Sequence, residues 1–188
     1  MTTIRAQVRG LTGTTAAALG APIAADDDRI VVAVDIANGA QILAAQPDVP
    51  RNLTATLTDA NNSVTAATLT IVGKTPQGLT VTEVATLSQL KAGWVGKAIY
   101  HTIASATVSG VTGTVGAGAD QLKVGVGNVI GLPAPISQAS QVKAVSLGAV
   151  PVASPTVAIG QNTSGVDASA ATYNGTKALV VWYNPFEG

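Results

Sequence analysis

Apolar and polar residues alternate with a period of two along much of the chain. Leu53, Ala55 and Leu57 alternate with Thr54, Thr56 and Thr58, and Ala67, Leu69 and Ile71 alternate with Thr68, Thr70 and Val72. That period places one set of side chains on a core and the other on the outer face of a strand. Asp59-Ala60-Asn61-Asn62 between the two runs is turn chemistry. Together they predict an antiparallel hairpin with paired threonine faces.

The same reading extends outward. Residues 29–36 form a continuous apolar run closed by the turn dipeptide Asn38-Gly39, and residues 41–45 resume it before Pro47-Asp48-Val49-Pro50 breaks the chain. Residues 79–87 predict a strand with Thr80 and Thr82 on one face and Val81 and Ala85 on the other. Residues 88–96 predict a loop or short helix, and 97–109 a long strand with Ile99, His101 and Ile103 on a shared face. Residues 110–118 predict a glycine-rich loop, 121–126 a short strand and 128–135 a turn. Further strands are expected at 142–150, 156–159 and 177–183.

No window carries a long helical stripe, so the chain predicts an all-β fold, an antiparallel β-sandwich or barrel. Residues 1–28 read as an extended arm ordered by a partner, with a short helical turn at 16–19 as the alternative. Residues 29–135 read as the sandwich or barrel domain. Residues 136–188 read as a C-terminal β segment packing on that domain or on a neighbouring subunit.

Composition changes the picture in one respect. The 188 residues are 47% hydrophobic and only 11% charged, with ten basic and ten acidic side chains and zero net charge. A typical soluble domain carries roughly 25% charged residues. The surface must therefore be covered by small uncharged side chains, which favours burial against other chains and predicts a homo-oligomer. Scattered Lys and Arg argue against nucleic acid as a partner. Apolar runs of strand length argue against a membrane one. Zero cysteines remove disulfides, thiolate nucleophiles and cysteine zinc sites. No apolar leader is visible near residue 1, and the N-x-[ST] sequons at Asn52, Asn61, Asn162 and Asn174 then mean little.

Candidate chemistry is sparse. The single histidine, His101, has no G-x-S-x-G serine elbow to serve. Asp26, Asp27 and Asp28 are contiguous, so their side chains are expected to splay in different directions; they read as a solvated acidic turn, or as a cation site or a salt-bridge patch for a neighbouring subunit. Gly125, Gly127 and Gly131 miss the spacing of a dinucleotide fingerprint and read as a turn. No enzyme, cofactor or metal is expected. In a chain with 3% aromatics, Trp94 and the tail of Trp182, Tyr183 and Phe186 stand out as core plugs or interface anchors. The interface candidates are thus Asp26, Asp27, Asp28, Trp94, His101, Trp182, Tyr183 and Phe186.

Pro47-Asp48-Val49-Pro50-Arg51-Asn52 leads into a threonine-rich stretch. Gly78-Leu79-Thr80-Val81-Thr82-Glu83 follows, then Val108-Ser109-Gly110, then Val124-Gly125-Val126-Gly127-Asn128 with Gly131-Leu132-Pro133. A Gly-Thr-Lys strand with a Val-Trp-Tyr ending spans 175–183. Over residues 45–183 this pattern resembles structural proteins of tailed-bacteriophage virions, head decoration proteins among them. The resemblance implies a capsid decoration or cement protein, made in the bacterial cytoplasm and located on the virion surface. Its partners would be the major capsid protein and copies of itself. The alternatives are a head–tail completion, tail-tube or fibre-base subunit and, in another class, a carbohydrate-binding or adhesin module.

Overall fold

The computed structural model describes residues 13–187. The described residues are 51% strand and 7% helix, with antiparallel sheets, one of them curled into a half-barrel. The strands are β1 (Thr15–Ala18), β2 (Asp26–Asp35), β3 (Gly39–Ala40), β4 (Arg51–Asp59), β5 (Val64–Lys74), β6 (Thr80–Thr86), β7 (Trp94–Val95), β8 (Thr102–Gly113), β9 (Asp120–Gly131), β10 (Val142–Leu147), β11 (Val150–Pro151), β12 (Thr156–Ala158), β13 (Gly165–Asp167) and β14 (Leu179–Tyr183). Among the described residues, single 3-10 turns lie at Ala139–Gln141 and Ser169–Ala171, and one short α-helix, α1 (Leu87–Ala92), separates β6 from β7. The Thr86 amide donates to Gln89 Oε1 at 2.9 Å at its start, and Gly93, at φ 84°, ends it in the left-handed region.

Three sheets result. The first has the order β1-β14-β10-β11, the second β12-β13-β9-β4-β7 with β2 also on β9, and the third β3-β8-β5-β6. The first core lies between the second and third sheets and buries Ile30, Leu53, Leu57, Leu69, Ile71 and Leu122. The second core gathers Leu19, Ile130, Leu132, Leu147, Leu179 and Val181. Strand β9 contributes to both, with Leu122, Val124 and Val126 in the first and Ile130 in the second. Each fully buried Leu or Ile contributes about 1.5–3 kcal/mol of apolar transfer free energy.

Several sequence expectations are corrected here. The alternating runs of β4 and β5 do not pair; β4 pairs with β7 and β9, and β5 with β6 and β8. Both apolar faces are buried, so the strands face each other across the first core and the connection arches between sheets. Asp59 holds that arch, accepting from the Ser63 amide at 3.0 Å and the Val64 amide at 3.2 Å.

The reading of Gly125, Gly127 and Gly131 as a turn also fails. All three lie within β9, and none has a positive φ. A Cβ on Gly125 would overlap the Asp26 backbone, one on Gly127 the Asn52 amide, and one on Gly131 the Ile99 side chain. These glycines provide clearance for close neighbours and do not bend the chain.

β8 runs on to Gly113 where a loop was expected from residue 110. At its other end it begins at Thr102, so His101 falls in a bend and is exposed, while Ile99 and Ile103 are buried. Residues 41–45 form no strand; the two-residue β3 precedes them. The arm is corrected in part. Residues 15–18 are strand, neither helical turn nor partner-ordered, because β14 of the same chain pairs with them from Thr15↔Tyr183 to Ala18↔Val180. Residues 1–12 of that arm lie outside the described residues.

Candidate functional site

Three of the sequence segments, residues 47–52, 78–83 and 124–128, meet at one joint. Arg51 is fully buried at the start of β4. Its Nε donates to the Gly127 carbonyl at 2.7 Å, joined there by Nη2, and its Nη1 donates to Ile23 O at 3.2 Å and to Asp48 Oδ1 at 2.9 Å. Asp48 Oδ2 accepts in turn from the Ile23 amide at 2.8 Å. A planar guanidinium suits this fork of acceptors, since it offers five donors in fixed geometry.

Asn52 continues the joint. Its Oδ1 accepts from the Val129 amide at 3.0 Å and its Nδ2 donates to Gly96 O at 3.2 Å. Asn128 O accepts from the Tyr173 hydroxyl at 3.3 Å, and burial pushes that phenol up to about 12. Glu83, at the end of the Gly78–Glu83 motif, accepts at Oε1 from the Lys97 amide at 2.8 Å and the Ala98 amide at 3.2 Å. Its Oε2 and the Tyr100 hydroxyl are buried without hydrogen-bond partners, and burial plus the Glu83 charge raise the Tyr100 phenol. Motifs distant in sequence thus act together, tying β4, β6 and β9 to the segment leading into β2.

The interface candidates distribute unevenly. Asp26, Asp27 and Asp28 do not splay: one carboxylate oxygen from each lies within 4.8 Å of the others. A register shift between Asp26 and Val31 breaks the strand alternation that would have separated them. Asp27 pairs with Lys123 at 3.3 Å. A hydrogen bond with Asp26, some desolvation and the charges of Asp26 and Asp27 raise the Asp28 carboxyl, against the pull of Lys123. Asp26 and Asp27 share a shallow depression of about 300 Å³ with Trp94, whose own ring is buried.

His101 lies elsewhere, in a depression of about 220 Å³ with Pro50, Pro76 and Pro133. In the aromatic tail, Tyr183 is buried with its hydroxyl accepting from the Ala134 amide at 3.2 Å, Trp182 is 36% exposed and Phe186 is 88% exposed. Tyr183 is therefore a core residue, while Trp182 and Phe186 face outward.

Sequence reasoning missed a groove of about 470 Å³ between β2 and residues 37–44. Val32, Val34 and Ile42 are exposed beside it. The signal was present, because a run apolar at every position in an antiparallel sheet has a second apolar face that needs a cover.

Comparison with protein-family models, with curated proteins and with solved structures finds no match. Function must therefore be argued from this geometry and from the sequence pattern.

Proposed function

We propose that this chain is a structural protein of a tailed-phage virion, a decoration protein that stabilises the capsid shell through many subunit contacts. The observation that carries the reading is what the phage-like residues do. Asp48, Arg51, Asn52, Glu83, Gly125 and Gly127 are spent on one internal joint, which accounts for a shared pattern of architecture in place of a shared active site.

The surface supports the same reading. Ile42, Val84, Val95, Val150 and Phe186 are exposed on a protein with few charges, a surface suited to being covered by neighbours. A stable contact would bury about 1,600 Å², and repetition over a shell adds avidity to each contact. A sugar-binding platform has less support, since Trp94, Tyr100, Tyr173 and Tyr183 are buried and two of the six aromatics, Trp182 and Phe186, face outward.

The test is co-sedimentation of the purified protein with shells assembled from the major capsid protein encoded near its gene. Saturable binding at a fixed ratio, with a raised heat-disruption temperature of the shell, is expected. Closed rings of the protein alone, with no shell binding, would replace this reading with a tail-tube or completion role.

A further inference from the structure

Among the described residues four ion pairs form, and they differ in chemistry. Lys123–Asp27 and Lys143–Glu187 are open to solvent on both sides. Arg51–Asp48 is buried, but a guanidinium stays protonated and is no nucleophile. Of the four, only Lys91–Asp59 joins a primary amine to a carboxyl group out of water. Lys91 Nζ lies 2.6 Å from Asp59 Oδ2, and the Asp59 side chain is 1% exposed.

The surroundings hold both partners in place. Lys91 lies in the last turn of α1, which Leu90 anchors in the first core. Its Nζ also donates to Asn62 Oδ1 and to Val64 O, each at 3.3 Å. Asp59 ends β4; its Oδ1 accepts from the Ser63 amide at 3.0 Å and its Oδ2 from the Val64 amide at 3.2 Å. Backbone donors aimed at a carboxyl group also stabilise an oxyanion that develops there. The carboxyl carbon lies one bond beyond Oδ2, so Nζ stands roughly 3–3.5 Å from it, a near-attack distance.

A second carboxyl group lies beside the pair. Asp120 is directly opposite Asp59 in the ladder of β4 and β9, which sets their Cβ atoms about 4.5–5.5 Å apart. Ser63 touches both, with its amide on Asp59 and its hydroxyl on Asp120 Oδ2 at 3.2 Å. The Gly116 amide donates to the same Oδ2 at 2.7 Å. Asp120 is fully buried, and its Oδ1 has no hydrogen-bond partner. A buried carboxyl oxygen that nothing engages calls for an explanation, and this one is free to take up and return a proton.

We propose that Lys91 and Asp59 condense in the folded protein to an intramolecular amide, with Asp120 relaying protons. Asp120 carries one proton from the ammonium to Asp59 Oδ2, leaving a neutral amine and a neutral carboxyl group. The Nζ lone pair then bonds to the carboxyl carbon, and Oδ1 becomes an oxyanion on the Ser63 amide. A second Nζ proton passes to Oδ2, the bond between that oxygen and the carbon breaks, and the oxygen leaves as water. The amide nitrogen keeps one hydrogen. Ammonium plus carboxylate gives amide plus water, with no oxidant or co-reactant. The unreacted chain holds the ion pair and its pH dependence; the product ties α1 to β4 covalently.

The test is the intact mass of the full-length protein, measured under denaturing conditions at intervals while the folded protein is kept at neutral pH. A species lighter than the sequence mass by one water is expected, present at purification or growing with time. Tandem mass spectrometry of a digest should give a branched peptide joining the Lys91 and Asp59 segments, and chain held in urea should not convert. Lys91→Arg preserves the charge pair and should stay at its full mass. Asp120→Asn keeps an oxygen for Ser63 and Gly116 but carries no proton. With an unchanged circular dichroism spectrum, it should convert about a hundredfold more slowly, the scale of one lost general acid–base group. Full mass alone after prolonged incubation would overturn the proposal. So would a light species without the branched peptide, or loss of ammonia with a branch between Lys91 and Asn62. Conversion of Asp120→Asn at the parental rate would overturn the relay. The virion reading is scored separately by co-sedimentation, so either can fail while the other stands.

Discussion

Arg51 is a charge placed where the molecule has no water to offer it. Its partners are Asp48 and two carbonyls, so replacing it leaves a carboxylate and several acceptors stranded together. Arg51→Met should cost about 3–5 kcal/mol in urea denaturation, the scale of a buried pair losing one member. Arg51→Lys should rescue little, because an ammonium cannot fork onto the same acceptors. Glycine substitutions separate two mechanisms. Gly125→Ala drives a methyl into the Asp26 backbone, an overpacking cost of about 1–3 kcal/mol. Gly78→Ala meets open space, and its cost of about 1–2 kcal/mol comes from a φ of 80° alone. Two carboxylates have opposed pH signatures. The Lys91 ammonium at 2.6 Å, with the Ser63 and Val64 amides, holds Asp59 below its ordinary 3.8. Its contribution is present above that value and is lost as pH falls through the folded one. Asp28 is raised, so its contribution is present below 3.8 and lost as pH rises through the raised value. In thermal melts at pH 7, Asp59→Asn should lower the midpoint and Asp28→Asn should raise it.

At the scale of elements, period-two alternation identified β4, β5 and β6 and their buried faces correctly, because burial follows from the pleat alone. It did not identify partners. The threonine faces of β4 and β5 look ready to pair, but alternation is equally consistent with two strands facing across a core, and the Asp59 arch decides between them through side-chain hydrogen bonds that no periodicity encodes. The length of β9 was illegible for a related reason: glycines that clear space for Asp26, Asn52 and Ile99 look the same in sequence as glycines that turn a chain. Of the candidate site, the aromatic tail was seen but not its division into buried Tyr183 and exposed Trp182 and Phe186. The β2 groove was missed because a run apolar at nearly every position does not say which of its faces is covered. Val34→Lys should change folding stability by no more than about 0.5 kcal/mol, as expected of an exposed site; circular dichroism melts check this.

At the scale of the molecule, β9 passes through both cores and β4 flanks it for most of its length, so neither core can open without disturbing the other's central strand. The expected outcome is one cooperative transition. Trp94 belongs to the first core and Trp182 to the sheet bounding the second, which provides a direct check. Trp182→Phe and Trp94→Phe proteins should report coincident urea midpoints by fluorescence, once each is corrected for its own stability change. Folding should be slow, in the range of milliseconds to seconds, since nearly every sheet joins residues far apart in sequence. The pairing of β1 with β14 has a mechanical consequence. Thr15 lies opposite Tyr183, so a tensile load applied at those two residues pulls on the same end of an antiparallel pair. Such a load peels the ladder one bond at a time, whereas a load along β9 would have to shear many bonds at once. An assembly that gripped this protein by β2 and β9 would be braced, and one that gripped it at Thr15 and Tyr183 would find a seam.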